Sequence, residues 1–202
     1  MHTRNKKLSI FILTLFIIVI PLFILLISYK MVLFITPMDT EQEIVMDFLE
    51  NSNGSSSNGI ELANLGANSD EISHLVDVKD VMQKINMIFY FMLLIVTLSI
   101  TYFQKDKLNA TKMLFYGGIS SLSVILIFLF NILLFFDFSF NLFHQIFFPQ
   151  GNWTFAVESF LIQTFPIEFF ISITVKIVLL SLFLSALMFG IGSYLKIKKK
   201  YI

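Results

Sequence analysis

Four long apolar segments divide the 202-residue chain. They lie at about 8–28, 85–103, 113–136 and 169–195, close to or above the roughly 18 residues that a helix needs to cross a hydrocarbon core. Because lipid offers no hydrogen-bond partner to an open backbone, such segments must fold as helices. The pattern predicts an all-α membrane protein with four transmembrane helices, in a single integral membrane domain covering 1–202.

The polar segment at 37–84 carries shorter helical patterns. In 39–50, apolar residues recur at helical spacing, and acidic residues crowd the start, where the helix dipole favours them. Asn68 and Glu71 have the spacing of a capping box, and the helix that they open is expected to continue into the second apolar segment. The composition of 51–59 predicts a flexible loop. The whole segment is therefore expected to form a mostly helical cap.

The segment at 137–168 is expected to complete this cap. Together with Phe169 and Phe170 it holds ten phenylalanines and the only tryptophan, Trp153, and it has no lysine or arginine. A loop with so many aromatic rings is not an ordinary solvated connection. The rings must be buried against protein or lie at the level of the lipid headgroups, where aromatic side chains are favoured.

Basic residues are sorted along the chain, although the formal net charge is zero. Ten of the fourteen flank the apolar segments on one predicted side: Arg4, Lys6, Lys7, Lys105, Lys107, Lys112, Lys196, Lys198, Lys199 and Lys200. All acidic residues except Asp106 lie on the other side or at its edge. The positive-inside rule therefore predicts that both termini are cytoplasmic and that the cap is extracytoplasmic. His74 and His144 share that outer face.

Composition removes several classes of chemistry. The chain has no cysteine, which excludes disulfides, thiol nucleophiles and thiolate metal sites. With three histidines in total we expect no metal centre, and the sequence has no nucleophile elbow, metalloprotease motif or cofactor fingerprint. No basic stripe outside the membrane flanks favours nucleic-acid binding. If the protein is an enzyme, two histidines acting as acid and base are the most that it offers.

Each of the two histidines has a functional and a structural interpretation. Aromatic neighbours would shield His144 from water and shift its pKa, but an inert interfacial histidine has the same pattern. Asp70 and Asp77 lie four residues before and three after His74, so either carboxylate could orient its ring on a helix. The alternative is a solvated, acidic helix face. Spacing alone does not decide between these interpretations.

Two further patterns have structural consequences. Gly117 and Gly118, inside the third apolar segment, predict close packing against another helix. Asn53 and Asn152 each begin a tripeptide of the kind that accepts N-linked glycans, a pattern that is common by chance.

Two motifs resemble one known family. The stretch Glu71–Val78 reads E-x-x-H-x-x-D-V, and Phe143–Trp153 reads F-H-x-x-F-F-x-x-G-x-W, followed by Phe165 and Pro166. Together with four apolar spans, they resemble the lipoprotein intramolecular transacylase family of bacterial membrane enzymes. That family moves the sn-2 acyl chain of a diacylglyceryl lipoprotein to the α-amine of the lipoprotein's own N-terminal cysteine. The product is a lyso-form lipoprotein, and the reaction needs no cofactor and no second substrate.

The resemblance implies that His74 and His144 are the catalytic pair and that the substrate amine is the nucleophile. Six cap residues are expected to bind the substrate: Glu71, Asp77, Phe143, Phe147, Phe148 and Trp153. The expected partners are a diacylglyceryl-modified lipoprotein and membrane lipid, in a bacterial cell membrane. The alternative is a non-enzymatic lipid-binding or sensor protein, or a subunit of a membrane complex. In that case the cap would only hold an acyl chain, and both histidines would be dispensable.

Overall fold

The computed structural model describes residues 5–50 and 56–200, and all regular structure within these ranges is helical. The helices are α1 (Lys6–Ile35), α2 (Thr40–Glu50), α3 (Ser56–Asn64), α4 (Ser69–Phe103), α5 (Lys107–Phe147), α6 (Phe160–Thr164) and α7 (Ile167–Lys200). Four of them, α1, α4, α5 and α7, are long and apolar enough to cross a membrane. The predicted all-α fold with four membrane helices is confirmed. Arg4 and Asn53, which entered the sequence predictions, lie outside the described residues.

The chain divides into two compact units. The helix unit consists of Met1–Phe34, Ile88–Leu133 and Val175–Ile202, and the cap unit consists of Ile35–Met87 and Leu134–Thr174. Each unit has an apolar core of its own. The interpretation of the whole chain as one domain stays a prediction.

In the helix unit, glycines bring α5 and α7 into close contact. A Cβ atom at Gly118 would lie 2.6 Å from the backbone of Phe189 on α7. A Cβ atom at Gly192 on α7 would likewise collide with the backbone of Phe115 on α5. Since any larger residue would force these helices apart, the close packing predicted for the glycine pair on α5 is confirmed.

The core of the cap unit forms where the sequence predicts amphipathic helices. Val45, Phe48 and Leu49 of α2 are buried together with Leu62 of α3 and Leu75 of α4. The three positions on α2 are spaced so that they share one helix face. The predicted helix over 39–50 is therefore confirmed as α2, and it contributes its apolar face to the cap.

The predicted capping box opens α4. Asn68 Oδ1 accepts hydrogen bonds from the backbone N–H groups of Asp70 and Glu71, at 2.9 and 3.0 Å. In return, Glu71 Oε2 accepts a hydrogen bond from the N–H group of Asn68 at 2.9 Å. The second oxygen, Oε1, accepts a hydrogen bond of 2.8 Å from the N–H group of Leu161 on α6. Glu71 thus starts α4 and also joins it to α6.

Two boundaries differ from the predictions. The loop predicted over 51–59 is wrong for its last four residues, because α3 begins at Ser56. Burial of Leu62 stabilises this short helix, although its composition disfavours helix formation. The aromatic segment, expected to be a loop, is helical at its start, since α5 continues to Phe147. No glycine or proline lies between Gly118 and Pro149, and the helix is kinked at Phe135, whose backbone is non-helical (φ −139°, ψ 38°).

Candidate active site

His74 of α4 and His144 of α5 lie in one site within the cap unit. Their ring centroids are 6.4 Å apart, and the ring planes are inclined by 26°. His74 is buried, with 8 % of its surface exposed, and His144 is half-buried. The structure therefore brings together the two histidines that the sequence singles out.

Aromatic rings surround both histidines. Phe148, which is 2 % exposed, lies 4.7 Å from the ring of His74 and 5.6 Å from that of His144, measured between centroids. Trp153 lies 4.9 Å from His144, and Phe155 lies 5.7 Å from His74. These rings limit the contact of the imidazoles with water, which disfavours their charged forms.

A backbone hydrogen bond fixes the tautomer of His144. Its Nδ1 atom lies 2.8 Å from the carbonyl oxygen of Phe140, one turn earlier on α5. Because a carbonyl oxygen only accepts, Nδ1 carries the hydrogen, and the neutral ring presents an unprotonated Nε2. His144 lies beyond the apolar segment 113–136, and burial lowers its pKa from the ordinary value, although the bond to Phe140 opposes this shift. At neutral pH, Nε2 is therefore available as a base.

His74 is uncharged for a related reason. It also lies outside the apolar segments, and burial is the main cause that lowers its pKa to about 4. The nearby His144 lowers the pKa further, while the charge of Asp77 opposes the shift. Its Nδ1 atom is buried and has no hydrogen-bond partner in the part of the chain that the structure describes. Since an unpaired buried polar atom is unfavourable, a polar group of a ligand would gain a hydrogen bond there.

Asp77 binds partners other than His74, although its spacing on α4 allows a contact with that ring. Within the described residues, no hydrogen bond joins its carboxylate to His74. Instead, Asp77 Oδ2 accepts hydrogen bonds from Gln150 Nε2 at 2.6 Å and from Asn152 Nδ2 at 2.7 Å. Within the described residues, the direct contact with His74 that the spacing left open is therefore not made, and the carboxylate fastens the turn at Gly151 to α4. The same bond engages the amide nitrogen of Asn152 that glycosylation would modify.

Of the other predicted site residues, two phenylalanines lie beside the histidines, whereas Glu71 is bonded to the backbone of the cap. Phe143 contacts the ring of His144 at 5.4 Å, and Phe147 packs on Phe143 at 4.7 Å. Both are more than 40 % exposed, so they offer apolar surface at the edge of the site. Glu71 is 1 % exposed, and backbone N–H groups occupy both of its oxygens. Glu71 therefore contributes to the fold of the cap, and its predicted role in binding the substrate stays a prediction.

Four residues of the site were not predicted. Phe140 lies one helical turn before His144, a spacing that becomes informative only once α5 is known to continue that far. Phe155 belongs to the aromatic segment, but nothing in its spacing distinguishes it from the other rings there. Gln150 and Asn152 have no pattern that indicates their common partner.

The family model of the lipoprotein intramolecular transacylase Lit matches residues 7–170, a range that includes both histidines. The chain belongs to the Lit family. It is therefore an acyltransferase of a family that acts on lipoproteins, as the motifs predicted. The alternative of a non-enzymatic lipid-binding protein does not agree with this family.

Solved structures of Lit show the same fold. The membrane-integral Lit of Bacillus cereus is 22% identical and superposes with a TM-score of 0.83, over 98% of this chain and 100% of that chain. A structure of that enzyme with a histidine-to-arginine mutation gives a TM-score of 0.76 at 22% identity, over 96% and 95% of the chains. One with a histidine-to-alanine mutation gives 0.68 at 22% identity, over 97% of each. No curated protein matches the chain.

Proposed function

We propose that this Lit-family protein moves the sn-2 acyl chain of a diacylglyceryl-modified lipoprotein to the α-amine of that lipoprotein's own N-terminal cysteine. His74 and His144 are the catalytic pair. The observation that supports this best is the free Nε2 of His144, beside a second uncharged histidine and under aromatic cover. Because the substrate amine is the nucleophile, the site needs no serine or cysteine in that role.

His144 is the proposed base, and it also returns the proton. The neutral amine attacks the ester carbonyl, a C–N bond forms, and the proton of the amine passes to Nε2 of His144. When the C–O bond to the glyceryl group breaks, the same proton moves to the leaving sn-2 oxygen. The products are an amide and a free hydroxyl, without net uptake of a proton. A histidine with a lowered pKa suits this sequence, because it is neutral before the reaction.

His74 is proposed to stabilise negative charge. With a pKa of about 4, it holds no extra proton at neutral pH that it could release to the leaving group. A neutral imidazole still has one N–H group, which can donate a hydrogen bond to the oxygen on which charge develops. With centroids 6.4 Å apart, nitrogen atoms of both rings can approach one ester group at hydrogen-bond distances of roughly 2.6–3.2 Å.

The aromatic rings are proposed to position the substrate and to exclude water. Phe148 and Trp153 contact the histidine rings, and the more exposed Phe143 and Phe147 are available to an acyl chain. Holding the amine and the ester in one pose can lower a barrier by about 7–11 kcal/mol. Excluding water also prevents hydrolysis of the ester, the competing reaction.

The proposed setting is a bacterial cell membrane, with both termini cytoplasmic and the cap outside. The support is the sorting of basic residues, in particular Lys105, Lys107 and Lys112 at the connection between α4 and α5. The expected partners are the diacylglyceryl lipoprotein and the lipid around the cap.

A lipopeptide with an isotope label in its sn-2 acyl chain tests this proposal. Purified protein is incubated with an equal mixture of labelled and unlabelled lipopeptides that differ in peptide mass. We expect mass spectrometry to find the sn-2 chain on the α-amine of the same peptide that carried it, with the sn-1 ester intact. Transfer of the sn-1 chain, exchange of label between peptides, or release of free fatty acid as the main product would contradict the proposal.

A further inference from the structure

We infer that Asp77 is a positioning residue, which acts by fastening the turn at 150–152 to α4 and thereby holds Trp153 against His144. This inference rests on the proposed function, since the pose of Trp153 affects turnover only if His144 takes part in the reaction. In this inference Gln150 and Asn152 are the donors that hold the turn on Asp77. Asp77 acts as their hydrogen-bond acceptor and not through the effect of its charge on His74.

Two amide groups converge on one carboxylate oxygen. Gln150 Nε2 lies 2.6 Å and Asn152 Nδ2 lies 2.7 Å from Oδ2 of Asp77. Hydrogen bonds to an ionised acceptor are shorter and roughly twice as strong as those between neutral groups. Gly151, between the two donors, has a φ of +80°, which a residue with a side chain rarely adopts. The shape of the turn therefore depends on Gly151, and its attachment depends on Asp77.

The turn connects directly to the rings of the site. On one side, the N–H group of Gly151 donates to the carbonyl of Phe148 at 3.1 Å, and Phe148 contacts both histidines. On the other side, Asn152 immediately precedes Trp153, whose ring lies 4.9 Å from His144 and is tilted by 37°. A displacement of Asn152 therefore moves the indole relative to the proposed base.

The charge of Asp77 is the competing explanation. The carboxylate favours the protonated form of His74, but burial and His144 are the larger effects and act in the opposite direction. No hydrogen bond joins Asp77 to His74 within the described residues. If the charge were what matters, its removal would stop the reaction even with the turn in place.

Two variants separate these explanations. Asp77→Asn removes the charge but keeps an oxygen that can accept both amide hydrogens. The double variant Gln150→Ala/Asn152→Ala keeps the charge and removes both donors. We expect the double variant and Asp77→Ala each to lower kcat by about 10- to 100-fold, because small misplacements of reacting groups have effects of that order. Asp77→Asn is expected to lose only a few-fold.

A spectroscopic readout shows whether the turn has moved. Trp153 is the only tryptophan, so indole emission reports on this turn alone. We expect emission at longer wavelength for Asp77→Ala and for the double variant, and emission close to that of the wild type for Asp77→Asn. Asp80→Asn is the matched control, since Asp80 is an exposed carboxylate three residues further along α4. It is expected to change neither kcat nor emission.

Combining Asp77→Ala with the double variant completes the test. Because the three side chains form one network, the combined variant is expected to lose little beyond the worse of its parents. The inference is overturned if Asp77→Asn is as inactive as Asp77→Ala while the double variant turns over normally. Unchanged emission in an inactive, folded double variant also overturns it. If the wild type does not convert the lipopeptide, the proposed function fails, while the emission measurement still tests the contact.

Discussion

His144 Nδ1 lies 2.8 Å from the carbonyl oxygen of Phe140, and this contact leaves Nε2 as the free basic nitrogen of the site. The bond exists because α5 continues through the start of the aromatic segment, which places Phe140 one turn below the histidine. The same helix positions Phe143 beside the imidazole. The part of α5 that follows the kink at Phe135 thus sets the tautomer of the proposed base and part of its surroundings.

Trp153 and Phe148 are expected to differ when each is replaced by alanine. Phe148 is 2 % exposed, so Phe148→Ala is expected to lower both turnover and the free energy of unfolding, the latter by about 3–5 kcal/mol. Trp153 is only partly buried, so Trp153→Ala is expected to slow turnover with a much smaller effect on stability. Unfolding in detergent and lipopeptide conversion, measured on the same preparations, check this.

Phe138→Ala is the control for these two variants, since Phe138 is 66 % exposed on the same helix as His144. It is expected to change neither quantity. A Trp153→Ala protein that melts much lower, while its folded fraction turns over normally, would mean that the indole is only structural.

The stability of the cap is expected to depend on pH through His74. Its pKa is about 4 in the folded protein and near the ordinary value of 6.5 in an unfolded chain. Between these values the unfolded state binds more protons, so stability rises with pH over this window and is level above it. Melting temperatures of the wild type and of His74→Phe, measured from pH 7 downward, are expected to show a smaller decrease for the variant. Equal slopes would contradict the low pKa.

Single cysteines test the orientation, since the chain has no cysteine of its own. Glu158→Cys places a thiol at an exposed position of the cap, and Lys107→Cys places one at the exposed start of α5. In intact cells, a membrane-impermeant thiol reagent is expected to label the first and to label the second only after lysis. Labelling of Lys107→Cys in intact cells would reverse the proposed orientation.

The sequence was sufficient to predict those features that depend on residues close to one another in the chain. The four membrane helices follow from the length of the apolar segments, and the capping box of Asn68 and Glu71 follows from a three-residue spacing. The second bond of Glu71, to Leu161, joins residues that are distant in the chain, and no local pattern indicates it. The structure thus adds a long-range bond of Glu71 to the predicted capping box, while its binding of the substrate stays a prediction.

The same limit applies to the histidine site. The motifs identified His74 and His144, but their separation and the tautomer of His144 depend on how α4 and α5 meet within the cap. The spacing of Asp77 on α4 is compatible with a contact to His74. The amides of Gln150 and Asn152 bind that carboxylate instead, and this choice is visible only in three dimensions.

The central claim is that two histidines carry out the acyl migration, and variants of these residues test it most directly. The measurement is the single-turnover rate at which folded wild type, His74→Ala, His144→Ala and the double variant convert a diacylglyceryl lipopeptide to its N-acyl lyso form. Ser73→Ala, at an exposed position next to His74, serves as the control. The base role of His144 contributes roughly 10²–10⁴-fold, and loss of a hydrogen bond to the developing oxyanion costs roughly 10²–10³-fold, so each single variant is expected to be nearly inactive. The double variant is expected to lose little more. Folded single variants with rates near that of the wild type would contradict the two-histidine mechanism.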